Sequence, residues 1–490
     1  MTAAKITEYN LLSCLEISHL LDSVAESQIW FTQLNLHNFT KNELPDAGQI
    51  ADYLFSAIEL PELKLFLLLI EKKRKEPWTG NAESVGFQEL IEIKILNTNE
   101  KKQNTSFKMR GCVWKNKLDP ETIQEIIIQN PDAPLVSVAK NRHAVIVNPE
   151  QPLRLEVLKI PKPWGYEGWY TGVEKRGVVK VTDECGKTEL PYALNLLKKQ
   201  LLAEYAETLI LLKSLNPVAE DVVGDLYYEM HEEKWEVYVV TEIDKNAWPS
   251  GTGIIKAGLH PDKISEYQAK HGKKWSEYLL KDFKEAIAEY EKIRRQIDDY
   301  KEIISQELSD QEHALRERAA AFVGDFSVKV GDIVSFPVFQ MHSLRHGIKV
   351  IEFQTPHYER LILMNAQKVL TQNHWDTEDA LNKMIPQVYE APQLERLHKS
   401  AGLLVERFVD FPQFTADRIS LDAKAIWAEQ LDGQYRLLIT ISGQVTVFPE
   451  NGNPVILNHE EALFLPVGMG SYRLKSTGNI PLICLKAMPK

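Results

Sequence analysis

The chain has 490 residues, 44% of them hydrophobic and 26% charged, with a net charge of −12. That balance excludes a disordered or fibrous chain and leaves room for roughly two to four domains. It also argues against a nucleic-acid surface, which needs a basic face, although a few local Lys and Arg residues suffice to hold a phosphorylated small molecule.

The four cysteines, Cys14, Cys112, Cys185 and Cys484, form no CxxC pair and are too sparse for a disulfide framework, so free thiols are expected. The N-terminal stretch lacks the basic-then-apolar order of a signal peptide. The longest apolar run, LFLLLI at 65–70, is too short to span a bilayer. The expectation is a cytoplasmic protein with no membrane partner.

Apolar residues at helical spacing in 11–21 and 50–70 predict helices, and alternation predicts strands at 86–96 and 106–114. The stretch DPETIQEIIIQ (119–129) reads as a helix with Asp119 as cap and Pro120 at its first position. Residues 1–150 hold no constellation that carries chemistry and read as a mixed α/β accessory domain. A Pro-rich joint follows at 148–170, and Leu, Ala and Tyr spacing predicts a helix over 192–214.

Between Pro261 and Pro337 no proline occurs, and Leu279, Phe283, Ile287, Tyr290, Ile297, Tyr300, Ile304 and Leu308 form an apolar stripe. This predicts a helical insertion at 261–325 between two strand-rich parts, 151–260 and 326–370. A linker at 371–401, helical around WDTEDALNKMI, leads to 402–490, where short strands break at Gly turns, as in a barrel or sandwich.

Chemistry concentrates in EMHEEKWEVYVV (229–240). In a strand, residues i and i+2 share a face, so Glu229 and His231 point the same way. A tight turn after His231 would return Glu236 on the adjoining strand. GDIVSFPVFQMH supplies a fourth group, His342, at the end of a second hairpin. Mixed His and carboxylate ligands suit Zn²⁺, or Fe²⁺, Mn²⁺ or Ni²⁺. Lys234, two residues before Glu236, is placed on the same face.

The pattern Glu229-x-His231-x4-Glu236, followed by Gly331-x5-Pro337-x4-His342, resembles the two motifs of the cupin superfamily. Within it, the closer resemblance is to type I phosphomannose isomerases, which hold zinc through a Gln-x-His pair, a Lys-x-Glu segment and a later His. Here Glu229-Met230-His231, Lys234-Trp235-Glu236 and His342 take those places, with Glu229 where the family has Gln. The stretch 328–363 is similar to the family's final strands, with Arg360 at its substrate arginine. PKPWGYE (161–167) is similar to its Pro-Trp-Gly segment.

The resemblance covers about 155–490. It implies two cupin (jelly-roll) β-barrels with a helical insertion, the first metal-binding and the second, 402–490, metal-free, with His459 its only histidine. It implies a metal-dependent aldose–ketose isomerase acting on a sugar phosphate, mannose 6-phosphate in the first instance. Glu229, His231, Glu236 and His342 would hold the metal, Lys234 and Arg360 would act on the substrate, and Trp164 and Arg360 would bind it. The alternatives are another metal cupin enzyme, an oxygenase or a sugar-modifying one, and a sugar-binding cupin without turnover.

Overall fold

The structure, a computed structural model, describes residues 15–16, 29–35, 65–75, 84–97, 106–174, 177–205, 209–299, 304–369, 372–423, 425–478 and 480–490. The chain is mostly β. An antiparallel six-stranded sheet runs in the order Ile333–Phe336, Glu236–Ile243, Ile348–Gln354, Leu211–Pro217, Gly165–Trp169, Leu158–Lys162. A five-stranded sheet runs Val323–Val328, Gly253–Leu259, His342–Ser343, Tyr228–Met230, Leu361–Met364. Leu215, Tyr238 and Val350 from the first sheet, with Trp164 from the turn between two of its strands, meet Ile255 and Ala257 from the second in one apolar cluster.

The other face of the six-stranded sheet is also covered. Val237, Val239, Ile351, Phe353 and Leu212 pack with Leu68 and Ile91 of the N-terminal strands and with Leu437 and Leu485 near the C-terminus. Because neighbouring residues point to opposite faces and both faces are dry, these strands read as unbroken apolar runs. Charged residues inside such runs are therefore buried ones.

The insertion leaves and returns on neighbouring strands, Gly253–Leu259 and Val323–Val328, which pair antiparallel. It forms helices Pro261–His271, Trp275–Asp299 and Gln306–Ala320. The long helix buries Leu279, Phe283, Ile287 and Tyr290 against Met230, Val323 and Ile362 of the five-stranded sheet. The apolar stripe is carried by more than one helix: a further one, Gln306–Ala320, starts after Ser305, whose hydroxyl accepts the Leu308 N–H at 3.2 Å.

Toward the C-terminus, a nine-stranded and a four-stranded sheet enclose a separate cluster containing Val405, Leu438, Val447 and Leu474. The strands Leu153–Glu156, Lys180–Thr182 and Lys187–Glu189 join this nine-stranded sheet, through pairing of Leu155 with Ala462. The N-terminal strands form a five-stranded sheet of their own. Helices Pro120–Gln129 and Pro134–Arg142 cover one of its faces. Asp119 caps the first helix, accepting the Thr122 N–H at 2.9 Å.

Two helix expectations fail. Of the expectation for 50–70, residues 50–64 lie outside the described residues, and 65–70 belong to a strand, Leu65–Lys75, buried on both faces. The stretch expected helical over 192–214 is two short helices, Leu190–Leu196 and Lys198–Leu202, then strand Leu211–Pro217. Ala203, at φ 50°, stops the second helix. The 11–21 expectation lies outside the described residues apart from Leu15–Glu16, which is a strand. Cys112, Cys185 and Cys484 are free and buried, and Cys14 lies outside the described residues. Among the described residues, no helix is long and apolar enough to cross a membrane.

Candidate metal centre

Both motifs cross from one sheet to the other. Glu229 sits on Tyr228–Met230 of the five-stranded sheet, and Glu236 opens a strand of the six-stranded sheet. Phe336 ends a strand of the six-stranded sheet, and His342 begins one of the five-stranded sheet. The expected hairpins, with Glu236 on the strand adjoining Glu229, are thus two sheet-to-sheet corners. The corners bring the groups together. Glu229 pairs directly with His342 across the ladder, and the ligand atoms of Glu229, His231 and His342 lie within 4.8 Å of one another. The backbone of one corner holds the other: Phe339, at φ 62°, donates its N–H to the His231 carbonyl at 2.7 Å.

Glu236 lies against both histidines. Its Oε1 is 2.5 Å from His342 Nε2 and 3.5 Å from His231 Nε2. Its Oε2 is 2.8 Å from Lys234 Nζ. The Nε2 atoms of both histidines are buried and face Glu236 Oε1 rather than any hydrogen-bond partner of good geometry. Their Nδ1 atoms are occupied, His231 on the Glu359 carbonyl at 3.0 Å and His342 on the Gln340 carbonyl at 3.2 Å. Nδ1 bonded to a carbonyl leaves the Nε2 lone pair free, which is how imidazole is presented to a metal. Two buried Nε2 atoms, with a carboxylate oxygen of Glu229 within 4.8 Å, are a donor set that fits a divalent cation. Phe336 stacks on the His342 ring with centroids 4.0 Å apart and fixes its plane.

The electrostatics agree with a cation site. Burial pushes Glu236 up, but Lys234, His231 and His342 outweigh it and hold the carboxyl well below its usual range. Burial likewise opposes ionisation of Glu229, and Lys234, His231, Arg360 and His342 overcome it. Both carboxylates are therefore ready anionic ligands.

Beside this centre lies a cavity of about 70 Å³, lined by Trp164, Glu229, Lys234, Glu236 and Arg360, among others. Trp164 is buried in the wall, and Arg360 lies over the Tyr227 ring at 4.9 Å. The cavity floor is a set of cross-strand rows on one face of the six-stranded sheet. One row pairs Trp169 with Lys213, Lys213 with Glu352, and Glu352 with Tyr238. The adjacent row holds Glu236 opposite Gln354.

Sequence reasoning missed this floor. Lys213 Nζ contacts Glu352 at 3.2 Å, Lys162 contacts Glu167 at 2.8 Å, and the Trp169 indole N–H donates to Glu167 at 3.0 Å. Burial, reinforced by Glu236 and opposed by Lys213 and Lys234, pushes the Glu352 carboxyl up to about 8. Glu167, with Lys213 and Lys162 overcoming its burial, is held at about 2. The missed signal was a charged residue inside an apolar central strand, Lys213 in LLKSL and Glu352 in IKVIEFQ. His357 and Tyr358 form the outer wall, where exposed Tyr358 stacks on Trp169 at 6.1 Å.

No family model and no curated protein matches the chain. Among solved structures, a single-residue mutant of phosphomannose isomerase from Salmonella typhimurium matches with a TM-score of 0.51 at 12% identity, over 69% of this chain and 99% of that one. The apo form of mannose 6-phosphate isomerase from the same organism and a zinc-bound mannose 6-phosphate isomerase each match with a TM-score of 0.50, at 12% identity and the same 69% and 99% coverage. The chain therefore shares the cupin-type fold of these isomerases across about two thirds of its length.

Proposed function

We propose that the chain is a metal-dependent aldose–ketose isomerase acting on a sugar phosphate, with mannose 6-phosphate the first substrate to test. The observation that carries this reading is that Glu229, His231 and His342 bring ligand atoms within 4.8 Å of one another, with Glu236 against both histidines, beside a cavity that also presents Lys234, Glu352 and Arg360. The fold shared with phosphomannose isomerases, one of them zinc-bound, supports it. The same reading takes 151–260 with 326–370 as the metal-bearing barrel, 261–325 as its insertion, 371–401 as a linker, 402–490 as a second barrel without metal, and 1–150 as an accessory domain, with Leu153–Glu156, Lys180–Thr182, Lys187–Glu189 and Glu395–Ser400 contributing strands to the second barrel's sheet.

The reaction moves a proton between two adjacent sugar carbons through an enediol. A divalent cation, zinc being the first candidate, supplies polarisation of the sugar oxygens when bound. The chain's own groups do the rest. With Glu352 protonated, the cavity lining holds four carboxylates, Glu167, Glu229, Glu236 and Glu359, against four cations, Lys162, Lys213, Lys234 and Arg360. A divalent ion would tip that balance to positive, which favours an anionic substrate. Arg360 holds the phosphate, since its planar fork matches phosphate oxygens. Lys234, 2.8 Å from Glu236, stabilises negative charge developing on the substrate. Glu352, whose carboxyl keeps a proton at neutral pH, delivers or accepts protons between the carbons and oxygens. The exposed Tyr358 ring swings off Trp169 to admit the sugar, because the cavity is far smaller than the ~300–1,000 Å³ of common ligand sites.

The test is an isomerisation assay on zinc-loaded protein with mannose 6-phosphate and with unphosphorylated mannose. Turnover of the phosphate ester alone is expected. Arg360→Ala should cut kcat/KM by roughly 10- to 100-fold, the value of one charged hydrogen-bonding group, with metal content unchanged. Lys234→Ala should lower kcat more than it raises KM. No turnover in fully loaded wild-type protein would move the assignment to another metal cupin chemistry.

A further inference from the structure

A second cavity, of about 360 Å³, lies where the N-terminal sheet meets the nine-stranded one. It shares no lining residue with the cavity at the metal centre and is several times larger. Its walls come from three places. Trp114 and Lys115 end the N-terminal strand Ser106–Lys115, and Arg142 ends the helix Pro134–Arg142. Lys180, Lys187 and Glu189 stand on the strands Lys180–Thr182 and Lys187–Glu189. Hydrogen bonds tie these pieces together. The Lys187 N–H donates to the His143 carbonyl at 3.0 Å, and the Val145 N–H to the Thr188 hydroxyl at 3.0 Å. Arg142 Nη2 donates to the Asn116 carbonyl at 3.0 Å.

Charge is unevenly distributed there. Among the described residues, the lining holds Lys115, Arg142, Lys180 and Lys187 against one carboxylate, Glu189. Glu189 contacts Lys115 at 2.9 Å, and Glu156, which is not in the lining, contacts Lys187 at 2.5 Å. Four cations thus face two carboxylates, in a chain whose net charge is −12. The helix end does not oppose an anion, because the His143 and Ala144 N–H groups cap the Lys140 and Ala139 carbonyls at 3.2 and 2.9 Å. Arg142 Nε and Glu189 Oε2 are buried without a hydrogen-bond partner, so the wall keeps a donor and an acceptor to be satisfied. Trp114 and Tyr192 give the cavity an apolar side. Its volume falls in the ~300–1,000 Å³ range of small-ligand sites.

We propose that this cavity is a second binding site, for a small hydroxyl-bearing phosphate ester. The phosphate lies among Lys115, Arg142, Lys180 and Lys187, and the organic part lies against Trp114 and Tyr192. A bare phosphate ion would leave the apolar side uncovered. Glu189 repels a second phosphate and accepts from a hydroxyl, which selects a monoester over a more highly charged ligand. Because the walls come from two sheets, the ester gives the N-terminal sheet a ligand-binding role. The inference needs neither a metal nor isomerisation.

Hydrogen exchange of the full chain, read by mass spectrometry, locates the site. Inorganic phosphate, glycerol 3-phosphate and adenosine monophosphate are titrated in turn. Binding should slow exchange at 113–116, 141–144 and 187–189. Protection at 227–236 and 352–360 reports the other cavity and is counted separately. At least one ester should reach half-protection at a concentration about five-fold or more below that of inorganic phosphate, through the apolar area it covers. Which of the two does so tells whether the organic part is a short polyol or a nucleoside.

Lys180 and Lys187 are exposed, so reversing them spares the core. Lys180→Glu with Lys187→Glu should raise the half-protection concentration roughly 10-fold or more, and Lys180→Ala with Lys187→Ala should move it in the same direction. Lys180→Arg with Lys187→Arg should leave it near the wild-type value. Lys273→Glu with Lys274→Glu, also exposed but on the helical insertion, changes the net charge equally and should have little effect. The inference falls if the three segments gain no protection, or if the Lys273 and Lys274 reversal weakens binding as much as the Lys180 and Lys187 one. It falls too if neither ester binds more tightly than inorganic phosphate, which would leave an adventitious ion only. None of these outcomes bears on turnover at the metal centre.

Discussion

His342 Nε2 and Glu236 Oε1 are 2.5 Å apart, with both side chains almost wholly buried. The contact joins two sheets, since Glu236 belongs to the six-stranded and His342 to the five-stranded one. A cation placed among Glu229, His231, Glu236 and His342 would replace this direct contact with bonds from each partner to the ion.

Metal should therefore stabilise the fold as well as equip the site. A ligand present at 100 times its Kd adds about 2.7 kcal/mol. For a chain of 490 residues that is on the order of 2–3 °C in melting temperature. Wild-type protein stripped with a chelator should regain that increment with zinc, followed by calorimetry. His342→Ala should show no zinc-dependent gain. A gain of the same size in His342→Ala would place the ion elsewhere.

The cavity floor makes a second prediction. Lys213 lies between Glu352 and Trp169, at 3.2 Å from the first and 5.9 Å over the ring of the second. Lys213 is also the leading charge that holds the buried Glu167 carboxyl ionised, and removing the cation of a buried carboxylate costs about 3–5 kcal/mol because it strands the charge. Lys213→Met should lose stability on that scale in urea denaturation. Glu352→Gln keeps a hydrogen-bonding group of equal size and should lose much less. If Glu352 handles protons, Glu352→Gln should nevertheless cut isomerase kcat by roughly 100-fold or more, with zinc content intact.

Gly165 explains the Pro-Trp-Gly segment in physical terms. It stands at φ 144°, and a Cβ there would come 2.1 Å from the Asn216 carbonyl oxygen on the neighbouring strand. Gly165→Ala must push that strand away, and Leu211–Pro217 carries Lys213. A loss of about 2–3 kcal/mol is expected from the strained backbone and the clash. Measured turnover should fall with it. Gly86 is the control: a Cβ there meets nothing within 4 Å, so Gly86→Ala should be nearly silent.

The sequence made the ligand types legible, because Glu-x-His-x4-Glu and Gly-x5-Pro-x4-His each hold their groups within a few residues. Their arrangement as corners between sheets was not legible, since the pairing of Glu229 with His342 spans more than a hundred residues. The same holds for Lys213 and Glu352, each unremarkable in its own strand and meaningful only side by side. Glu359 was hidden for another reason. It acts through its backbone carbonyl and through N–H groups, which no residue pattern encodes. The strand Leu65–Lys75 was misread because a strand buried on both faces has no alternation to set against helical spacing.

The C-terminal sheets carry their own buried charges. Lys486 contacts Glu429 at 2.7 Å and Asp417 at 3.0 Å, Arg436 contacts Glu429 at 3.1 Å, and the Tyr472 hydroxyl donates to Glu429 at 2.9 Å. Glu429 comes from the four-stranded sheet, and Lys486, Asp417 and Arg436 from the nine-stranded one, so the network ties the two together. Burial pushes Glu429 up, yet Lys486 and Arg436 hold its carboxyl at about 2, against an ordinary value of 4.5. A depressed folded-state value means that the stabilisation is complete above pH 4.5 and is lost as the pH falls toward 2. The difference corresponds to about 3 kcal/mol. Urea titrations at pH 7 and at pH 3 should therefore show wild-type stability falling on acidification. In Glu429→Gln, part of that fall should already be present at pH 7, and the remaining pH dependence should be shallower over the acid range. Lys486→Met should be worse at pH 7 than Glu429→Gln, because it leaves two buried carboxylates without their common partner. It should recover in relative terms at pH 3, where those carboxylates take up protons. An equal acid response in wild type and Glu429→Gln would show that this network does not set the acid limit of the fold.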